Sequence, residues 1–178
     1  MIFRFFLLLA ASLVATLTLS VPARAEIDVH FHSFNGSIFF GRYPHTFVVF
    51  EGTLGDGTQV NENFGFSARS TSAAIRSTPA EHMILIEDAE TIEDTNRHFS
   101  VSVSDEDYRK LRAEVMRWRD YPGKYYDLDE RNCIHFVAAL ARMAGLSADV
   151  PSRYLRKPKA WLNYISQRNP DLNADIID

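Results

Sequence analysis

His45-Thr46-Phe47-Val48-Val49-Phe50-Glu51 is apolar at successive positions, so neither side of this segment is suited to water. A β-branched and aromatic run of this kind reads as a central strand covered on both faces. Leu54-Gly55-Asp56-Gly57 follows as a turn signal, and residues 58–66 return as its antiparallel partner. Upstream, Ile27, Val29 and Phe31 alternate with Asp28, His30 and His32, the period of a half-buried edge strand. Phe34-Asn35-Gly36-Ser37 breaks that run and Ile38-Phe39-Phe40 resumes it. Downstream, residues 67–79 show no period and read as a surface loop. Residues 82–87 and 98–103 read as two more strands, joined by a solvated acidic connection carrying Glu87, Asp88, Glu90, Glu93 and Asp94. About five strands result, an ordinary sheet for a domain of this length.

Helices fill the second half. Ser104 followed by Asp105, Glu106 and Asp107 is an N-cap with acids in the first turn, where the helix dipole favours them. Tyr108, Leu111, Val115 and Trp118 then form one apolar stripe facing the sheet, and Tyr121-Pro122-Gly123 ends it. A second helix is predicted over residues 132–144, with Cys133, Phe136, Val137, Leu140, Ala141 and Ala144 inward and Gly145 as the C-terminal cap. Trp161, Leu162 and Ile165 suggest a short closing helix. The expected class is α+β, an antiparallel sheet packed against helices.

Residues 1–25 carry Arg4, then an apolar run, then the small-x-small ending Ala23-Arg24-Ala25. This is the layout of a cleavable secretory signal, which places the mature chain in the periplasm or outside the cell. Pro22 and the Ala-Arg-Ala ending favour cleavage over a membrane anchor, and no later apolar stretch has the roughly 20 residues a spanning helix needs. Residues 26–178 then make one domain with room for a real core. The full chain holds 19 basic and 23 acidic residues; losing Arg4 and Arg24 leaves 17 against 23, a net charge near −6. So acidic a chain lacks the basic footprint of nucleic-acid binding.

One cysteine in an exported chain cannot form an internal disulfide, so Cys133 is either buried as a small apolar side chain or used. Its place at a helix start favours use. Unpaired amides and the positive dipole end shift a thiol there toward the thiolate, and the same amides are candidate donors to an oxyanion. A nucleophilic cysteine needs a base. His135 lies two residues on, about 200° around the helix, and points away. His30, His32, His82 and His98 read as surface or turn residues. His45 differs, standing at the mouth of the most buried strand after the rigid Tyr43-Pro44 corner. Asp28-x-His30-x-His32 lacks a third clustered ligand, so no metal is expected. The Arg153, Arg156, Lys157, Lys159 tail reads as a solvated face.

Asn132-Cys133-Ile134-His135-Phe136-Val137 resembles the Asn-Cys-x-His-Phe signature of the circularly permuted papain-like thiol enzymes, the group of NlpC-type peptidase relatives and lecithin:retinol acyltransferase. In that group the histidine strand precedes the cysteine helix. Here too His45 comes first, on a strand that reaches Gly52 with the family's spacing, and the likeness extends over residues 41–145. The resemblance implies a permuted papain-like fold with Cys133 as nucleophile and His45 as general base. It also implies a third polar residue on the strand after His45 that orients the imidazole. Several relatives carry a second histidine there; this chain has Val60-Asn61-Glu62-Asn63, which makes Asn61 the candidate and Asn63 the second choice.

The expected function is a secreted or periplasmic cysteine hydrolase or acyltransferase. It would act on an amide, ester or thioester, in a cell-wall peptide or a lipid acyl group, without a cofactor. The alternative is a catalytically silent domain of the same fold that binds a cell-envelope ligand or partner.

Overall fold

A computed structural model describes residues 26–36, 43–76 and 79–178. The predicted signal at residues 1–25 and the resumed run Ile38-Phe39-Phe40 lie outside them. Five antiparallel strands form one sheet: β1 (Glu26–Phe34), β2 (His45–Thr53), β3 (Gln59–Ala68), β4 (His82–Leu85) and β5 (Asn96–Ser104), in the order β4-β3-β2-β1-β5. Among the described residues, five α-helices accompany them: α1 (Thr71–Arg76), α2 (Ala89–Glu93), α3 (Asp105–Arg119), α4 (Cys133–Met143) and α5 (Pro158–Arg168). The domain is α+β, as expected.

β2 lies in the middle of the sheet, and His45 through Phe50 are all buried, as the two-sided apolar run requires. Its turn to β3 closes with Gly57 N–H donating to the Leu54 carbonyl at 2.8 Å, and Gly57 takes a φ of 87° that a side chain would resist. β1 is not an edge strand. It pairs with β2 on one side and β5 on the other, so His30 and His32 are buried where the alternation suggested a wet face.

Register assigns the two faces of the sheet. Ile27, Val29 and Phe31 of β1 share a face with Val48 and Phe50 of β2 and with Phe64 and Phe66 of β3. The helical layer covers this face. Tyr108, Leu111, Val115 and Trp118 of α3 are buried, and Trp118 packs edge-on against Phe66 at 4.8 Å. Ser104 accepts the Asp107 N–H as the N-cap of α3. Trp161, Leu162 and Ile165 of α5 are fully buried.

His30, His32, Phe47, Val49, Asn61, Asn63 and Gly65 share the second face. β4 and β5 lie at opposite edges, so their connection must cross the sheet. Its ends are tied to this second face. Glu87 exchanges two backbone hydrogen bonds with the Asn63 amide, at 2.7 and 3.0 Å, and the Thr95 hydroxyl meets His32 Nδ1 at 2.8 Å. The acidic stretch read as a solvated connection holds the short α2, capped by Asp88. The expected loop at 67–79 contains the end of β3 and α1, whose Ala73 N–H donates to the Ser70 hydroxyl.

A bulge completes the second face. Phe99 sits opposite Phe31 and Arg97 opposite His32, leaving His98 as the extra residue. Arg97 is thereby turned to His30, at 3.4 Å, and His98 is aimed the other way onto the Ser33 hydroxyl at 2.8 Å.

Candidate active site

Asn132 sets the start of α4. Its Oδ1 accepts the N–H groups of Ile134 (2.8 Å) and His135 (3.3 Å), and its Nδ2 donates to the carbonyls of Leu128 (2.7 Å) and Leu155 (2.8 Å). One side chain of 2 % exposure thus ties the helix to the two loops flanking it. His135 is the reciprocal partner, its Nδ1 accepting the Asn132 N–H in a capping box. That bond gives His135 a structural task, and His135 does not line the cavity that Cys133 lines.

Cys133 is the first helical residue and only 7 % exposed. Burial pushes its thiol up to about 11, while the backbone N–H groups of Thr46, Ile134 and Cys133 itself pull the other way. Desolvation outweighs the helix terminus, and the expected thiolate gives way to a neutral thiol at neutral pH. The expected set of free amides is also reduced. Asn132 consumes those of Ile134 and His135, which leaves the Cys133 N–H as the amide at the helix start outside the cap.

His45 is the first residue of β2. Paired register between β2 and β3 ends at Phe47 and Gly65, so the strands diverge before His45 is reached and an opening forms there. By alternation His45 shares a face with Phe47, its ring parallel to the Phe47 ring within 11° and 5.7 Å from that of Phe34. The imidazole lies over Gly65: a Cβ at that glycine would run into His45 Nε2. The backbone of the adjacent residue, Thr46, pulls the Cys133 pKa downward, against burial. A cavity of about 560 Å3 occupies this end of the sheet, and Cys133 and His45 both line it. Tyr126 lines it as well; burial and the nearby Cys133 raise its hydroxyl pKa.

Asn61 is not brought to this site. It pairs with Glu51, six residues along β2 from His45, a separation of roughly 20 Å at the rise of a strand. Asn63 pairs with Val49 and spends its amide on Glu87. Neither asparagine orients the imidazole. On β3 the position continuing the register opposite His45 belongs to Ser67, which also lines the cavity.

The other histidines have partners elsewhere. His82 Nε2 donates to the Arg119 carbonyl at 3.2 Å, and its ring packs on Phe66 and Tyr125. His30 Nδ1 meets Ser100 at 2.7 Å, and its Nε2 lies 3.4 Å from Glu51. Burial and then the Arg97 charge lower its pKa, against the pull of Asp28 and Glu51. His32 and His98 are each brought down to about 4, chiefly by burial. Among the described residues no three His, Cys, Asp or Glu side chains cluster to hold a metal ion, and no helix is long and apolar enough to cross a membrane.

Sequence reasoning missed part of the cavity lining, to which α1 contributes Thr71, Ala74 and Ile75 and β4 contributes Leu85. The local signal was present in Ser70-Thr71-Ser72-Ala73-Ala74, a serine cap before small helix formers. Comparison with known proteins gave no match: no family model, no curated protein and no solved structure is significantly similar to this chain.

Proposed function

We propose that this chain is an exported cysteine hydrolase or acyltransferase of permuted papain-like architecture, with Cys133 as nucleophile and His45 as base. The observation that supports it is the meeting of α4 and β2: Cys133 and His45 line one cavity, and the backbone of Thr46, next to His45, favours the Cys133 thiolate. Since the resting thiol is protonated, the nucleophile forms during attack. Sulfur bonds to the carbonyl carbon of an amide, ester or thioester as its proton passes to His45. The oxyanion faces the Cys133 N–H. Collapse expels the amine, alcohol or thiol, which takes the proton from His45, and water or another acceptor then cleaves the acyl-enzyme. No cofactor enters these steps. The substrate is an amide, ester or thioester of the cell envelope, and cleavage of residues 1–25 delivers the domain there.

Cys133 is the sole cysteine, so removing it abolishes thiol labelling whatever the function. The informative variant is His45→Gln. A general base contributes on the order of a hundredfold or more, so acylation of Cys133 by a carbonyl-directed probe is expected to slow at least that much while the fold persists. Equal rates in parent and variant would end this reading.

A second reading, a catalytically silent domain that binds an envelope ligand, draws on two observations. Burial raises the thiol pKa, and neither Asn61 nor Asn63 stands beside His45. Under it, alkylation of Cys133 climbs only toward pH 11 and ignores His45.

A further inference from the structure

The two edges of the sheet are finished differently. β4 is only four residues long, and the chain entering it is already paired, Ala80 exchanging backbone hydrogen bonds with Tyr126 at 2.7 and 3.0 Å. β5 is nine residues long. Arg97 and the bulge at His98 blunt one end of it, as charges and bulges do at sheet edges. The rest, Phe99-Ser100-Val101-Ser102-Val103-Ser104, carries no charge and no proline and pairs with β1 residue for residue.

An edge strand turns about half of its backbone N–H and C=O groups outward, where they are a template for another strand. Among the described residues, nothing outside the sheet bonds to the backbone of residues 99–103. Ser100 and Ser102 are exposed beside this open edge, and Val101 is half-buried.

We propose that β5 pairs with β5 of a second copy of this chain, antiparallel about a two-fold axis at Val101, so that two five-stranded sheets become one. This register sets Phe99 across from Val103 of the second copy and Ser100 across from its Ser102, an aromatic–β-branched pair and a hydroxyl pair. Charge selects the same register. Ser100 Oγ accepts from Arg97 Nε at 3.3 Å, and the Ser102 hydroxyl donates to the Asp28 carboxylate. The positive end of each serine row therefore meets the negative end of the other, twice by symmetry. A strand of unrelated sequence does not carry that match, which is why the occupant is a second copy. No β5 residue is among the described residues lining the Cys133 cavity, so the pairing leaves it open and stands whether or not Cys133 is catalytic.

Sedimentation equilibrium of the purified protein over a concentration series should show a reversible monomer–dimer equilibrium, and amide exchange at residues 99–103 should slow as concentration rises. Two double variants then test the register: Ser100→Lys with Ser102→Lys, and Ser100→Glu with Ser102→Glu. Both lose the His30–Ser100 hydrogen bond alike, at exposed positions. Alone, each places like charges opposite one another twice and should weaken the dimer about tenfold. Mixed in equal amounts, they should pair with each other at least as tightly as the parent does with itself. A parent that stays monomeric at every concentration overturns the proposal. So does a dimer indifferent to both double variants, or a mixture that associates no better than either variant alone.

Discussion

The two faces of the sheet are buried by different means. On the helical face, Phe31, Phe50 and Phe66 meet apolar stripes from α3, α4 and α5, and the contacts are almost wholly hydrocarbon. On the second face, His30 and His32 lie beside Phe47 and Val49, beneath a connection held by hydroxyl and amide bonds. The first face is stabilised chiefly by area removed from water, which pH does not touch, with His98 on Ser33 as its titratable exception at the β5 edge. The second is stabilised by imidazoles that must stay neutral, so it depends on pH. His45 belongs to the second face by alternation and Cys133 to the first by its helix, and the candidate site lies where β2 and β3 diverge and the two environments join.

The largest expected effect tests the helical face. Trp161→Ala removes a fully buried side chain whose indole N–H donates to the Asp149 carbonyl at 2.9 Å. About 3–5 kcal/mol of unfolding free energy should be lost, read from the denaturant midpoint at pH 7, with little dependence on pH.

Acid should distinguish the second face. His32, on that face, is brought down to about 4 in the folded chain and titrates near 6.5 when unfolded; His98, aimed at Ser33 on the helical side of the sheet, is brought down to about 4 as well and adds to the same slope. The unfolded chain therefore binds more protons between these values, and stability falls as pH drops from 6.5 toward 4. Each imidazole accounts for about 3 kcal/mol at most over that window. Chemical denaturation at a series of pH values measures the slope, and His32→Gln should reduce it. A flat profile would show that these rings are not held neutral.

The smallest effect probes the join. Gly65→Ala places a methyl group against the His45 ring and should cost about 1–3 kcal/mol through overpacking. The His45-dependent acylation of Cys133 should slow more than the loss of stability explains. A variant that loses stability with the same residual rate would separate the ring position from the chemistry.

Local signals made much of the molecule legible. The stripe Tyr108, Leu111, Val115, Trp118 is the buried face of α3, Ser104 is the cap it promised to be, and the run from His45 is the central strand. Each depends on residues within a few positions of one another. Asn61 shows where this stops. Its distance from His45 depends on the register of β2 against β3, and a count along the chain from Asp56-Gly57 does not supply it. The edge-strand reading of β1 failed for a related reason: alternation reports that two faces differ, and it is silent on which strand from residues 96–104 pairs alongside and what crosses above.

By itself the sequence determined the α+β class, the positions of most strands and helices, and the cysteine at a helix start, because periodicity, turns and caps are settled by neighbours in the chain. Tertiary structure alone decided the burial of His30 and His32, the exclusion of Asn61, the contribution of α1 to the cavity lining and the protonated state of Cys133. These depend on which distant segments exclude water from a group, and desolvation is a property of the assembled fold.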